Sequence, residues 1–166
     1  MAEKIRLSGV PETMLQTVYA RAKESGGRGA VQDKTAKELI RQLDYDFSLA
    51  DRDAAMHNGV IARTIVLDRL TEAWLAENPG AVVVNIACGL DTRCYRMSGY
   101  AHWYNLDLPE TIAVRQKLLP DFRFVEEHSL TEGMAAFMPV YRLLGRIPVV
   151  RNISNKIIVL ERRQEL

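Results

Sequence analysis

The sequence predicts an α/β fold in which helices pack on a parallel sheet of the doubly wound type. The first 80 residues show the periodicity of amphipathic helices. They are followed by an apolar run, Val82–Ala87, that leads into a glycine turn at Gly89. A second strand-like segment, His102–Asp107, ends in an acidic residue. A buried strand, a glycine turn and a second strand closed by a carboxylate are typical of the half of such folds that binds a phosphate or a nucleoside.

The composition is that of a soluble globular domain and excludes several classes of partner. The 166 residues suffice for one domain with a core, and 48% of them are hydrophobic. The net charge of +1 makes no electrostatic case for nucleic acid or an anionic membrane. The N-terminus has no apolar signal region, and no run approaches the ~18 apolar residues of a transmembrane helix, so we predict a cytoplasmic protein. The two cysteines, Cys88 and Cys94, form no metal or redox motif and are predicted to be free thiols.

Three helices are predicted in the N-terminal segment. The first follows Pro11, which suits a first helical turn, and it ends at the glycine-rich residues 26–29. Its apolar residues recur at helical spacing: Met14, Leu15, Val18, Tyr19 and Ala22. A second helix is expected over Lys34–Leu43 and a third over Gly59–Glu77, where an Asn-Pro-Gly sequence ends it. In the third helix we expect five apolar side chains to be largely buried: Ile61, Ile65, Leu70, Trp74 and Leu75.

The sheet is predicted to begin at Val82. Because Val82–Ala87 is apolar apart from Asn85, we expect a central strand covered on both faces. The segments after the second strand are expected to form a helix, a strand, an irregular stretch and a terminal strand, in this order: Pro109–Leu118, Phe122–Glu126, Met138–Val150 and Lys156–Leu160. We therefore predict one domain, with a helical extension over 1–80, a βαβα unit over 81–120 and late strands over 121–166.

The turn after the first strand favours a nucleoside ligand without phosphates. A dinucleotide fingerprint, G-x-G-x-x-G, needs three glycines, but only the middle one, Gly89, is present here, between Ala87 and Thr92. S-adenosylmethionine carries no phosphate and therefore fits this turn better than a dinucleotide does. Asp107 lies eighteen residues after Gly89 (107 − 89), where a carboxylate can accept hydrogen bonds from both ribose hydroxyls. The alternative is that Asp107 is a turn or N-cap residue before Pro109.

Three arginines require partners. Arg63 lies in the apolar helical segment VIARTIVL, where an unpaired buried guanidinium would be costly. A methionine carboxylate would bind it bidentately, and an ion pair with Asp68 is the structural alternative. Arg21 stands at the end of the first helix, where a cation also suits the helix dipole. For Arg93 we expect a structural pairing with one of two aspartates, Asp91 or Asp107.

Five segments of the chain together form a specific pattern: GVPETMLQTVYARAKES, DYDF, VIARTIVLD, VVVNIACGLDTRCYRM and WYNLDLPETIAVRQKLLP. They resemble the leucine carboxyl methyltransferase-like family, of the tetracenomycin polyketide O-methyltransferase type. The resemblance implies a Rossmann-like class I methyltransferase fold with an N-terminal helical extension, and S-adenosylmethionine as cofactor. It also implies that Arg21 and Arg63 bind the methionine carboxylate. The remaining cofactor-binding residues that it implies line the turn and hold the ribose: Ala87, Gly89 and Asp107.

The match departs from the family in two respects. The usual turn is G-C-G, so Ala87 replaces a glycine, and an alanine fits there if its φ is negative. Further, the chain after Asp121 resembles the end of the family, as if an internal deletion near Pro120 had removed the strands between. We therefore expect an incomplete sheet in which Val82–Ala87 exposes one row of backbone N–H and C=O groups. Late strands of the chain, or a second subunit in a homodimer, would complete it.

The first functional hypothesis is an S-adenosylmethionine-dependent O-methyltransferase acting on a small-molecule carboxylate or hydroxyl. The alternative is a catalytically inactive cofactor-binding or oligomerisation remnant of that family, and the missing glycines disfavour a nucleotide-dependent oxidoreductase. No catalytic residue is assigned, because a carboxylate acceptor needs no general base. For a hydroxyl acceptor, His128 with Glu126 and Glu127, at a strand end, is a candidate for the general base. The alternative is that these three residues form a solvated turn. Tyr19 is a further candidate for contacting the substrate, or else a core residue, and no metal is implied.

Overall fold

A computed structural model describes residues 12–27 and 29–129 of the chain. These residues form five α-helices, one short 3-10 helix and three strands. The elements in chain order are α1 (Glu12–Glu24), α2 (Lys34–Gln42), α3 (Ser48–Arg52), α4 (Ala54–Glu77), β1 (Ala81–Ile86), the 3-10 helix (Arg93–Tyr95), β2 (Tyr100–Asp107), α5 (Pro109–Leu118) and β3 (Val125–Ser129). The predictions for Met138–Val150 and Lys156–Leu160 lie outside the described residues.

The first two predicted helices are confirmed. The apolar stripe of α1 is buried at Met14, Leu15 and Val18, and it packs in one core cluster with Leu39 of α2. The α2 helix begins after Asp33, whose carboxylate accepts a hydrogen bond from the Ala36 N–H at 2.9 Å. This N-cap satisfies a backbone donor that the first helical turn leaves without a partner.

The long helix α4 begins earlier than predicted, at Ala54, because the side chain of Asp53 caps it through the Met56 N–H at 2.8 Å. The expected burial of its apolar residues is only partly correct. Ile61 and Leu75 are buried, whereas Leu70 and Trp74 are 55% and 39% exposed. In the described structure, α4 packs against α1 and α3 and its Leu75 joins a second core cluster with Trp103, whereas Leu70 and Trp74 lie on its exposed side.

The three strands form a parallel sheet in the order β1-β2-β3, which confirms the predicted α/β fold class. One face of the sheet is covered and holds the fully buried Trp103 and Asn105 of β2. The prediction that Val82–Ala87 is covered on both faces is wrong for the described residues. On the other face Val82, Val84 and Ile86 are 58%, 52% and 52% exposed. Within residues 12–129, β1 is an edge strand, as expected for an incomplete sheet.

Two connections differ from the prediction. Between β1 and β2 the chain forms a turn and the 3-10 helix Arg93–Tyr95 instead of a full helix. The third strand begins at Val125, three residues later than predicted, because pairing starts where the Trp103 N–H donates to the Phe124 carbonyl at 2.8 Å. In the part of the chain that the structure describes, no helix is both long and apolar enough to cross a membrane.

Candidate functional site

The turn after β1 lies at the carboxyl end of the sheet, where ligands bind in open α/β folds. Ala87 and Gly89 both have left-handed backbone conformations, with φ of 55° and 50°. The condition under which an alanine would fit at position 87, a negative φ, is therefore not met. An L-residue in this region costs roughly 1–2 kcal/mol. A side chain on Gly89 would also approach Met14, whose Cγ would lie 3.4 Å from the added Cβ.

Asp107 at the end of β2 binds the backbone of this turn. Its Oδ2 accepts a hydrogen bond from the Gly89 N–H at 2.7 Å, and its Oδ1 accepts one from the Leu108 N–H at 2.7 Å. The alternative for Asp107 was a role as a turn or N-cap residue, and these two bonds to backbone N–H groups agree with the turn role. A carboxylate has about four lone-pair sites, so these two bonds leave acceptor capacity on both oxygens. Asp107 is half-buried, so the carboxylate is not sealed in the core.

Arg115 of α5 lies directly beneath the turn and is fully buried. One terminal nitrogen donates to the carbonyl of Gly89 at 2.7 Å and to the carbonyl of Asp91 at 2.8 Å. Its Nε and its other terminal nitrogen donate to the two carboxylate oxygens of Glu127 at 2.6 and 2.9 Å. Burial opposes the charge, but the hydrogen bonds to Glu127 hold the pKa of Arg115 above its ordinary value.

Sequence reasoning missed Arg115. A signal was present, because Arg115 lies three residues after Ile112 and three before Leu118, both of which are buried. That spacing places it on the core face of α5. A charged residue on such a face must have a buried partner.

A second polar group joins the strands below the turn. The Oδ1 of Asn105 accepts hydrogen bonds from the Trp103 indole at 3.0 Å and from the Asn85 amide at 3.2 Å. The Asn105 amide donates to Glu127 at 3.0 Å, and Asn85 donates to Asp91 at 3.2 Å. The one polar residue in the apolar run of β1 is thus part of a network that spans all three strands and reaches the turn.

Arg21 contacts the turn from the helical layer. It is buried, and its Nε donates to the Oδ2 of Asp33 at 3.0 Å. One terminal nitrogen donates to the Leu90 carbonyl at 2.7 Å and the other to the Thr17 carbonyl at 3.2 Å. Arg21 therefore holds a turn residue, although a guanidinium has five N–H donors and these contacts use three of them.

A cluster of alternating charges surrounds this contact. Arg93 binds Asp91 at 2.5 Å and Asp68 at 2.7 Å, so the expected pairing with Asp91 is present. Asp68 also binds Arg96, which lies 3.7 Å from Asp33. Burial tends to raise the pKa of Asp91, but the nearby arginines, Arg93 first, hold it below its ordinary value.

Two further predictions concern Arg63 and the acidic cluster with His128. Arg63 is exposed on α4, so the premise that it is a buried guanidinium is wrong. The predicted acidic cluster is divided between the faces of β3, because Glu127 binds Arg115 whereas Glu126 binds the exposed His128 at 2.8 Å. The hydrogen bond to His128, followed by one to His102, lowers the pKa of Glu126.

Tyr19 packs on and hydrogen-bonds to neighbouring residues, and both cysteines are buried. The Tyr19 hydroxyl donates to Asp51 at 2.8 Å, and its ring stacks on Phe47 at 4.7 Å. Burial, with this hydrogen bond, raises the pKa of Tyr19 to about 12. Cys88 and Cys94 are buried, and burial raises the pKa of Cys94 to about 11. Among the residues that the structure describes, no group of His, Cys, Asp and Glu side chains could hold a metal ion.

Comparison with known proteins adds a family. The family model of leucine carboxyl methyltransferase matches residues 14–137. The tetracenomycin polyketide synthesis O-methyltransferase TcmP of Streptomyces glaucescens is 38% identical over 145 residues, which cover 84% of this chain and 54% of that protein. The S-adenosyl-L-methionine-dependent methyltransferase dpfgK of Gibberella zeae is 32% identical over 130 residues, 71% of this chain and 44% of that protein. The chain thus spans about half the length of the curated relatives it matches.

Proposed function

Since the chain belongs to the leucine carboxyl methyltransferase family, we propose that it is an S-adenosylmethionine-dependent O-methyltransferase acting on a small-molecule carboxylate or hydroxyl. The observation that carries the proposal is the hydrogen bond of 2.7 Å from the Gly89 N–H to Asp107. It joins the turn of the first strand to the acidic end of the second. A nucleoside binds between two such elements in doubly wound folds.

The residues at the turn fit the cofactor. Asp107 retains lone pairs on both carboxylate oxygens, which can accept hydrogen bonds from the ribose hydroxyls. Ala87 is exposed, and the half-buried Gly89 has no side chain, so the turn presents backbone to a ligand. The turn lacks the glycines of a pyrophosphate site, which agrees with a cofactor without phosphates.

Arg21 and Arg63 are proposed to bind the methionine carboxylate of the cofactor. Arg21 is the better supported of the two, because it contacts Leu90 next to Gly89 and retains N–H donors. Arg63 is exposed on α4 and therefore accessible to an anionic group. Bidentate binding of a carboxylate by a guanidinium would orient the amino-acid part of the cofactor.

When bound, the cofactor supplies an electrophilic methyl group on a sulfonium. The task of the protein is then mainly to hold the acceptor oxygen in line with that methyl group. A carboxylate acceptor requires no proton transfer, whereas a hydroxyl acceptor requires a general base. The Glu126–His128 pair is a candidate for that base, because His128 is the last residue but one of β3 and is bound to Glu126.

A second candidate function is cofactor binding without catalysis. The chain spans about half of its curated relatives, and the described sheet has only three strands. The turn and Asp107 lie within the described residues, so cofactor binding can be measured separately from turnover. A binding measurement and a turnover measurement therefore test different parts of the proposal.

Calorimetric titration with S-adenosylmethionine, S-adenosylhomocysteine and NAD tests the binding step. We expect heat with the first two ligands and none with NAD. Asp107→Asn should weaken S-adenosylhomocysteine binding about 10- to 100-fold, because a hydrogen bond to a charged group contributes about 1.5–3 kcal/mol. The control is Asp121→Asn, which changes an exposed aspartate outside the strands. A folded sample that gives no heat with any of the three ligands would exclude both candidate functions.

Turnover is measured by transfer of a labelled methyl group from S-adenosylmethionine to a panel of small carboxylates and hydroxyl compounds. Transfer to either class supports the methyltransferase and identifies the acceptor chemistry. Binding of the cofactor without transfer to any member of the panel favours the inactive remnant.

A further inference from the structure

We propose that Arg115 is a positioning residue that sets the conformation of the cofactor turn. The expected effect on cofactor affinity rests on the proposed function. The ordering of the turn rests only on the contacts of Arg115. Arg115 lies under the turn at the end of β1 and does not need to touch the cofactor.

The peptide groups of the turn are bound on opposite sides. The N–H of Gly89 donates to Asp107 at 2.7 Å, while the carbonyl of the same residue accepts from Arg115 at 2.7 Å. Two residues further on, the Asp91 carbonyl accepts from the same nitrogen of Arg115 at 2.8 Å. The two carbonyls on either side of Leu90 are therefore held by one fully buried guanidinium.

The turn requires such support. Ala87 and Gly89 both have positive φ, and a non-glycine residue keeps this conformation only where its surroundings over-determine it. The backbone that faces a ligand is thus held from below by a charged donor. The same donor fixes the peptide group that follows Gly89, while the N–H of the preceding peptide group binds Asp107, the residue proposed to hold the ribose.

Only an arginine can make this set of contacts. Its planar fork binds both carboxylate oxygens of Glu127 and still directs N–H groups at two carbonyls. A lysine has a single ammonium group and cannot satisfy the carboxylate and both carbonyls in the same geometry. Glu127 in turn accepts from Asn105 at 3.0 Å, so the guanidinium is fixed to the central strand as well.

The test compares Arg115→Lys with Ile112→Val by amide hydrogen exchange and by S-adenosylhomocysteine titration. Ile112 is buried on the same helix, and its substitution lowers stability without removing a hydrogen bond from the turn. In the free protein, Arg115→Lys should accelerate exchange at Gly89 and Asp91 about tenfold more than in the strands, whereas Ile112→Val should accelerate both alike. The dissociation constant for S-adenosylhomocysteine should rise about tenfold in Arg115→Lys only.

The two readouts separate the inference from the proposed function. If the wild-type protein binds no cofactor, the proposed function fails, but the exchange at Gly89 and Asp91 still decides whether Arg115 orders the turn. Uniform acceleration in Arg115→Lys, equal to that in Ile112→Val, would overturn the inference. If Arg115→Lys does not fold, Glu127→Gln carries the test, because it preserves side-chain volume but weakens the bond that orients the guanidinium. Selective acceleration at Gly89 is expected there too, and its absence would also overturn the inference.

Discussion

Replacing Ala87 by glycine should stabilise this protein. Ala87 has a φ of 55° and is exposed, so the substitution removes a strained side chain without leaving a cavity. Relief of the left-handed conformation contributes about 1–2 kcal/mol. The greater freedom of glycine in the unfolded chain costs about 0.4–1 kcal/mol. The difference is a gain of roughly 0.5–1 kcal/mol in the free energy of unfolding.

Thermal unfolding followed by circular dichroism measures this gain. For a chain of 166 residues, a change of 1 kcal/mol moves the melting temperature by about 2–4 °C. We therefore expect Ala87→Gly to raise it by about 1–4 °C. The matched control is Ala73→Gly, which places a glycine at an exposed position in α4 and should lower stability by about 1 kcal/mol.

The two alanine variants must differ in sign for the reasoning to hold. If Ala87→Gly lowers the melting temperature as Ala73→Gly does, then position 87 is not in the left-handed region and the described turn is wrong. A neutral result would limit the strain to about 0.4–1 kcal/mol, at or below the low end of the range, and would contradict the expected gain. The same variant also restores the G-C-G pattern of the family, so it should bind S-adenosylhomocysteine at least as tightly as the wild type.

Three further predictions follow from the charges and the exposed strand. Arg21→Met should weaken S-adenosylhomocysteine binding but leave the affinity for 5′-methylthioadenosine, which lacks the amino-acid carboxylate, unchanged. An equal loss for both ligands would show that Arg21 acts through Leu90 and not on the carboxylate. Because the folded state lowers the pKa of Asp91, its ionised form stabilises the fold above pH about 4, and this stabilisation is lost as the pH falls further. Urea unfolding should accordingly show Asp91→Asn to be costly at neutral pH and less so near pH 3, and a constant difference would contradict this. If a homodimer completes the sheet through β1, Val84→Lys should produce a monomer in analytical sedimentation. Val66→Lys, at a similarly exposed site on α4, should leave the dimer intact. A monomeric wild-type protein would refute pairing through β1.

Some elements could be predicted from the local sequence pattern alone. The stripe from Met14 to Ala22 and the Pro-initiated helix α5 contain their own start and periodicity, so both were predicted closely. Burial was less predictable, because periodicity shows which side of a helix is apolar but not how much of it another element covers. Leu70 and Trp74 are apolar and yet exposed for this reason. Similarly, the apolar run of β1 suggested a strand covered on both faces, whereas in the described residues only one face is covered.

In the candidate site, too, some residues could be predicted from the local sequence and others could not. Gly89 and Asp107 were identified because a nucleoside turn requires a glycine and an acid at fixed positions in the sequence. The residues that hold the turn have no such requirement, since any part of the chain that lies beneath it can supply them.

Three consecutive carbonyls of the turn, at Gly89, Leu90 and Asp91, are bound by buried guanidinium groups from two different helices. Arg21 of α1 binds the middle one and Arg115 of α5 the outer two, so the helical extension and the sheet layer both fix the same short segment. Burying two arginines is costly unless each is paired, and Asp33 and Glu127 supply those pairs. The ordering of the turn therefore depends on two buried ion pairs that come from separate parts of the sequence, which explains why the motif indicates the candidate site but not the residues that support it.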